Sequence, residues 1–396
     1  MDFRLDEDAI ALADMTRAFC EERIVPHAES WDRGETIDPQ IFKDLAETGL
    51  TSLRIPSENG GSSATFVQCG AAAYEMGRAD VGLAIMVVNG VFFGELMHLM
   101  SPTVRDKYAP MVAAGSPFAI TITEPEAGSD AGSLRTTAER DGDEWVISGE
   151  KGSVSYAGLA DWGLIFARTG GPGAKGVSLF ATDWNVDGIE SRIYQSAGQR
   201  VTKRGQAYYD NLRIPAENLI GRENEGFREA MQFFDYNRAF LALVCIGAAE
   251  KSLAEVTEYV RARQAFGGSL SRFQGVNFPI AEHATKLEAA KLLAYKVLAQ
   301  KDAGLPHSKE AAMVKWYGCE AAFQALHDCV LLAGWPGFSS DLPHDRRMRD
   351  VMGFELGDGT AQIMKMIVAR EVIGRESLPY GKPKVSESLP YSKPAA

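Results

Sequence analysis

The hydrophobic pattern along the chain reads as helix, then strand, then helix. Residues 8–29 place Ile10, Leu12, Met15, Phe19 and Ile24 at helical spacing. Pro26 is expected to end or kink that helix. A second helix fits 39–50 through Ile41, Phe42, Leu45 and Leu50, and the Gly-Gly-Ser-Ser run at 60–63 reads as a loop. Helical patterns resume over 66–79 and 82–100, and Ser101-Pro102 opens a shorter one that reaches about Ala114. From about 119 to 220 the period changes. Short β-rich runs occur at 118–122, 145–147, 162–167, 177–181, 189–193 and 207–212, divided by Asp-Gly, Gly-Gly and Gly-Pro signals. They predict an antiparallel sheet or small barrel. Helical patterns return at Asn224 and dominate to about Arg375, over 239–263, 278–301, 309–333 and 360–374. The expected division is 1–118 helical, 119–223 β, 224–375 helical and 376–396 a Pro-rich tail. A β-module between two helical blocks makes a cleft at the junction, where cofactors often bind.

The 396 residues suit two or three domains with ample core. The tail carries a small repeat, Ser377-Leu378-Pro379-Tyr380 followed by Ser388-Leu389-Pro390-Tyr391. Its prolines exclude regular helix, so it is expected to drape over the surface or to contact a neighbouring subunit. Lys and Arg number 41 against 53 Asp and Glu, a net charge of −12, which argues against general nucleic-acid binding. Five scattered cysteines without a C-x-x-C pair point to buried free thiols in a reducing compartment. The apolar run 81–93 is interrupted and expected to be too short to span a bilayer. With an acidic start that lacks a signal-peptide core, the protein is expected to be soluble and cytoplasmic. No histidine spacing suits a metal, and G-x-G-x-x-G, P-loop and G-x-S-x-G signatures are absent from the sequence.

Four segments offer chemistry. The run Thr121-Ile122-Thr123-Glu124-Pro125-Glu126-Ala127-Gly128-Ser129-Asp130 leaves a strand for a loop rich in free N–H groups and hydroxyls, suited to an anion or an acceptor-rich ring; a simple turn explains it as well. Arg261-Ala262-Arg263 before Gly267 could grip phosphates, or merely complement a helix C-terminus. Asp235 and Arg238, three apart, share a helix face, which also describes an ordinary surface ion pair. Gly357-Asp358-Gly359-Thr360 lets a ligand approach the backbone and offers Asp358 as a general base, or Asp358 or Thr360 as a helix cap.

Taken together these motifs resemble the acyl-CoA dehydrogenase family over about residues 5–375. Thr123-Glu124-Pro125-x-Ala127-Gly128-Ser129-Asp130, Asp235-x-x-Arg238, Arg263-x-x-Phe266-Gly267 and Gly359-Thr360 after an acid stand in the family's order and spacing. The resemblance implies an α+β fold: an N-terminal helical domain, a middle antiparallel β-domain and a C-terminal four-helix-bundle-like domain. It implies FAD, an acyl-CoA substrate, a homotetramer, and an electron-transfer flavoprotein or other acceptor. Ile120, Ile122, Thr123, Gly128 and Ser129 match the segment along the flavin ring, with Ser129 a contact to the flavin phosphate or to acyl-CoA. Val154 and Ser155 match the second flavin segment, after Gly149-x-Lys151. Arg263 matches the arginine on the FAD pyrophosphate of a neighbouring subunit, with Gln274 beside it. Leu331, Gly334 and Trp335 match another cross-subunit contact. Thr360 and Gln362 match the segment at the adenosine phosphates, and Asp235 and Arg238 the pair that binds CoA. Asp358 stands at the catalytic base.

Three departures from the family pattern change the picture. Asp358 replaces the usual glutamate and is shorter by about 1.5 Å, one C–C bond. The alternative site for a glutamate, just before Arg238, holds Asn237, which leaves Glu95 as a reserve base. Aspartate as base resembles dehydrogenases of alicyclic acyl-CoAs, so a cyclic or branched acyl group is expected. Ser153 stands where an aromatic usually covers the flavin edge, which admits an oxygen-using oxidase or a lyase-like enzyme of the same fold. Tyr156 and Leu331 replace the usual Asn and Gln and are expected to reshape the flavin surroundings.

Overall fold

A computed structural model describes residues 4–379. From Tyr380 the repeat tail lies outside the described residues. The first block is helical: α1 (Glu7–Arg23), α2 (Val25–Asp32), α3 (Gln40–Glu47), α4 (Phe66–Ala79), α5 (Val81–Leu96) and α6 (Pro102–Ala113). The break between α1 and α2 falls at Ile24, and Pro26 sits in the first turn of α2, where its missing N–H costs nothing. It opens the second helix, and the break at Ile24 is the interruption expected beside it. Asp80 caps α5 by accepting from Leu83 N.

Together with the turn that follows it, α5 corrects the expectation about membrane spans. Val81–Leu99 is long and apolar enough to cross a bilayer by length and composition, yet 83% of that window is buried inside the protein. It is the central core helix of this block, apolar all round because it is covered all round.

The middle block holds β1 (Phe118–Thr121), β2 (Thr137–Asp141), β3 (Glu144–Val154), β4 (Trp162–Arg168), β5 (Val177–Asp183), β6 (Ile189–Ile193), β7 (Gly205–Pro215) and β8 (Leu219–Ile220). The sheet runs β6-β7-β3-β2-β4-β5-β8, with β1 paired to β4. Most pairs are antiparallel, as expected, whereas β1 and β2 pair with β4 in parallel. Strands β4 and β5 are almost wholly buried. They read as continuous apolar runs and were legible; β2, with Glu139, Arg140 and Asp141 exposed, gave no such signal.

The last block holds α7 (Gly226–Ala262), the short strands β9 (Gln264–Ala265) and β10 (Gly268–Ser269), then α8 (Gln274–Asp302), α9 (Ser308–Leu332), α10 (His344–Leu356) and α11 (Ala361–Val372). Helix α7 is buried from Tyr236 to Ala249 without interruption, so it forms the centre of the bundle. One core runs through both helical blocks and one face of the sheet.

Candidate active site at the domain junction

Asp358 lies in the turn between α10 and α11. Gly357 ends α10, Thr360 caps α11 by accepting from Ile363 N, and Asp358 and Gly359 both take positive φ, 52° and 97°. The cap is therefore Thr360, and the Asp358 carboxylate is left for other work. A left-handed aspartate costs roughly 1–2 kcal/mol, so its surroundings must impose the conformation. They do so directly from two elements, with Arg204 behind them. Asn237 Nδ2 on α7 donates to Asp358 Oδ2 at 2.9 Å. Lys315 on α9, fully buried, donates to Phe354 O at 2.5 Å and Gly359 O at 2.6 Å, bracketing the turn. Arg204, just before β7, donates to Ser153 O at 2.9 Å and to Gln199 Oε1 at 2.8 Å. Gln199 Nε2 in turn donates to Asp350 O on α10 at 2.8 Å. Burial pushes the Asp358 carboxyl above the usual aspartate range, against the pull of Lys315, Arg238, Arg204 and the Asn237 bond.

Asp235 and Arg238 do pair, Nη1 to Oδ1 at 3.1 Å, but with Arg238 buried the pair is no surface ornament. Ser308 Oγ donates to the other oxygen of Asp235. Beside Asp358, Asn237 Oδ1 and Arg238 Nε are buried without protein partners, which leaves one acceptor and one donor for a ligand. Glu95 differs: it is tied to Arg54 Nη2 at 2.5 Å and to Lys301 at 3.3 Å, a carboxylate already neutralised.

The two segments expected along the flavin meet. Gly152 N donates to Thr123 O at 2.9 Å, joining the end of β3 to the end of β1. Lys151, fully buried, donates to Glu124 Oε1 at 2.8 Å and Ile122 O at 3.2 Å. Glu124 also accepts from Arg135 N at 2.6 Å and Thr136 N at 2.9 Å. This cluster braces the Thr123–Asp130 loop from beneath. Burial alone would raise the Glu124 carboxyl, but Lys151 and the N–H donors hold it below its usual range. The hydroxyls of Thr123, Ser129 and Ser155 donate to no protein acceptor among the described residues. Ile120 and Ile122 pack half-buried against the core and Gly128 is exposed, with open space at its Cβ position. Val154 is buried in the sheet core, so only its backbone is available to a ligand. This donor set fits FAD: hydroxyls and N–H groups for the acceptor-rich ring, and a glycine where the chain must come close.

Tyr156 does not enter these surroundings. Its ring is fully buried and its hydroxyl donates to Gly82 O on α5 at 2.8 Å, stitching the sheet to the first block. The residues expected at a neighbouring subunit lie elsewhere. Arg263 ends α7, 26 positions beyond Asn237, about 39 Å along a helix rising ~1.5 Å per residue. Its guanidinium meets no partner among the described residues. After it, β9 and β10 close on a two-residue turn, Phe266 and Gly267, both at positive φ, the pattern of a type I′ hairpin. Phe266 at the tip is 96% exposed. Gln274 is exposed at the start of α8, and Leu331, Gly334 and Trp335 are exposed at the far end of α9, which starts beside Asp235. Gln362 is exposed on α11.

Lys315 and Arg204 were missed in the sequence. The signal for Lys315 was present: it interrupts the apolar stripe Ala311, Val314, Gly318, Cys319, Ala322 on α9, where a surface lysine has no place.

The three-block fold and a junction holding both an ionisable base and an acceptor-binding loop define a cofactor-dependent enzyme. Three domain families match in order: acyl-CoA dehydrogenase N-terminal domain over 6–116, middle domain over 119–212 and C-terminal domain over 224–373. The chain is 34% identical over 376 residues to cyclohexane-1-carbonyl-CoA dehydrogenase of Geobacter metallireducens, covering 94% of this chain and 99% of that protein. Butyryl-CoA dehydrogenase from Megasphaera elsdenii superposes with a TM-score of 0.90 at 26% identity, covering 94% of this chain and 100% of the other. A prolyl acyl carrier protein oxidase gives 0.88 at 25% identity, covering 93% and 99%. The chain belongs to the acyl-CoA dehydrogenase family, FAD-dependent oxidoreductases that oxidise acyl-CoA to enoyl-CoA.

Proposed function

We propose that this enzyme dehydrogenates an alicyclic or branched acyl-CoA between Cα and Cβ, with Asp358 as the base that takes the α-proton. The observation that carries this reading is Asp358 itself: a left-handed carboxylate at the junction, half-buried, held by Asn237 and raised toward the working pH of a base. Its backbone N–H is the donor we assign to the thioester carbonyl, where charge develops as the proton leaves. Asp235 and Arg238 are assigned to the CoA portion. FAD, once bound, would supply the two-electron acceptor for the β-hydrogen. Thr123, Ser155 and the backbone around Gly128 and Val154 would hold its ring, with Ser129 at its phosphate or at the acyl-CoA; Thr360 and Gln362 would face its adenosine phosphates. An error of about 1 Å in such a site costs on the order of 10²-fold, so the shorter aspartate favours a ring or branch that brings its proton closer. The 34% identity to a cyclohexane-1-carbonyl-CoA dehydrogenase supports the ring.

Arg263, Gln274, Leu331, Gly334 and Trp335 are assigned to the FAD of a neighbouring subunit in a homotetramer. The ~39 Å between Arg263 and Asn237 along one helix supports that assignment, because one subunit cannot bring both to one ring. The five buried free cysteines support a reducing, cytoplasmic setting.

Ser153 favours a second reading, an oxidase or a lyase-like enzyme. It is exposed at positive φ, and its carbonyl and hydroxyl are taken by Arg204, so no bulky side chain stands there to shield the flavin from oxygen. The deciding experiment is an anaerobic flavin spectrum with cyclohexane-1-carbonyl-CoA and straight-chain acyl-CoAs, followed by admission of air. Bleaching with the cyclic thioester and no peroxide supports the dehydrogenase and its electron-transfer flavoprotein partner. Peroxide on turnover supports the oxidase, and a bound flavin that no thioester bleaches sinks both redox readings and leaves the lyase-like one.

A further inference from the structure

Lys315 is a buried ammonium that no part of the reaction above uses. It lies on α9, fully buried, and neither of its hydrogen-bond partners is a carboxylate; both are the carbonyls of Phe354 and Gly359. A buried cation is costly unless something compensates it. The two carbonyls stand on either side of Asp358, one in the last turn of α10 and one just after the carboxylate. Their bonds span the only stretch of the α10–α11 connection that takes two consecutive positive-φ residues. The charged and titratable groups that face Lys315 come from every side: Asp358 in the turn, Glu355 on α10, Cys319 on its own helix and Cys245 on α7. Asp358 in turn faces Lys315, Arg238 and Arg204.

We propose that Lys315 is the positioning residue of the base: its ammonium clamps the turn in the left-handed form that presents Asp358, and supplies buried positive charge beside that carboxylate. The assignment rests on the reading of Asp358 as base. The clamp acts through backbone carbonyls, so it fixes where the carboxylate and its own N–H stand without touching the substrate. The charge acts at short range in an interior of low dielectric, and among the cations around Asp358 it is the one that most favours ionisation.

Two variants separate these roles. Lys315→Met removes charge and donors; Lys315→Gln removes the charge and keeps a donor. Asp358→Asn is the reference. The readouts are FAD stoichiometry, kcat and KM across pH, and the Asp358 carboxylate band in isotope-edited infrared spectra of flavin-loaded, substrate-free protein, identified by its loss in Asp358→Asn. The expected result is FAD bound in both variants, the carboxylate band and the acid limb of kcat/KM both moved to higher pH, and KM unchanged. Lys315→Met should also lose about tenfold or more in kcat, with Lys315→Gln between it and the wild type. A band and limb that stay at the wild-type pH in a folded variant overturn the proposal. So does failure of both variants to bind FAD, which would make Lys315 a residue of the fold alone. Flavin reduction that survives in Asp358→Asn sinks the base assignment separately, while the infrared shift still reports on Lys315.

Discussion

Asn237 on α7 donates from Nδ2 to Oδ2 of Asp358 at 2.9 Å, so two positions 121 residues apart in sequence share one spot in the cleft. In the sequence Asn237 served only to exclude a second site for the base. In the structure it is the hydrogen-bond partner of Asp358, the proposed base.

That contact predicts that the base can be moved. Asp358→Ala should abolish flavin reduction by acyl-CoA while FAD stays bound. Adding Asn237→Glu should restore measurable reduction, about 10²-fold below the wild type, since a carboxylate on α7 reaches the same region from another angle. Rapid-mixing absorbance at the flavin band checks this. Equal inactivity of single and double variants would show that the two positions do not serve one proton.

The raised carboxyl of Asp358 has opposite consequences for activity and stability. If Asp358 is the base, activity needs its ionised form, so kcat/KM should fall as pH drops through a value above the ordinary aspartate figure of about 3.9. For stability, the folded state binds this proton more tightly than the unfolded chain does. The group's contribution is therefore favourable at low pH and is lost as pH rises from the ordinary value through the raised one. Asp358→Asn should then unfold like the wild type in acid but be more stable near neutrality. The expected gain is about 0.5–2 kcal/mol, helped by asparagine's tolerance of positive φ. Thermal unfolding at several pH values tests it, and a gain that does not grow with pH contradicts the account.

The block order was legible because the hydrophobic period changes from 3.6 to 2 and back over long stretches. Helix α10 was not: its buried residues include His344, Arg346, Arg347 and Asp350, polar groups whose side-chain hydrogen bonds go to partners far away in the chain. Arg346 meets Asp80 at 3.2 Å and Arg347 meets Glu255 at 2.6 Å. The same reason hid half of the site. Asp358 and Thr123 stand in local motifs, whereas Lys315, Asn237 and Arg204 gain meaning only when three elements converge. Tyr156 shows the converse, a residue near a flavin motif in sequence that turns away toward Gly82.

The Lys151–Glu124 pair should be worth more to the flavin loop than any exposed ion pair. Burial holds the Lys151 ammonium down to about 8, with Glu124 opposing. Glu124→Gln would strand that charge and leave one of the N–H donors of Arg135 and Thr136 without its acceptor. The expected cost is roughly 3–5 kcal/mol, read by urea unfolding, with weaker FAD binding measured in parallel. Without Glu124 the lysine gives up its proton at lower pH, so the deficit should narrow as pH rises toward 8. A deficit constant across pH would show that the lost bonds, and not the stranded charge, set the cost.

The separation of Arg263 from Asp358 makes the strongest prediction about assembly. In one subunit Asp358, the proposed base, meets α7 at Asn237, whereas Arg263 ends that helix, exposed and without a partner among the described residues, beside a hairpin that exposes Phe266 at positive φ. Exposed Leu331, Trp335 and Phe338 lie at and just past the far end of α9. Apolar surface of this kind on a well-packed fold marks an interface. If Arg263 completes a neighbour's FAD site, Arg263→Ala and Asp358→Ala should each be inactive alone, the first for weak FAD binding and the second for want of a base. Co-expressed, they should complement: a site with Asp358 from one subunit and Arg263 from the other is whole. Purified mixed oligomers with distinct tags should recover a fraction of wild-type flavin reduction, while mixtures of the two homo-oligomers that do not exchange subunits should recover none. Light scattering gives the assembly state in the same preparation. A monomer, or mixed oligomers as inactive as their parents, would place Arg263 outside the flavin site.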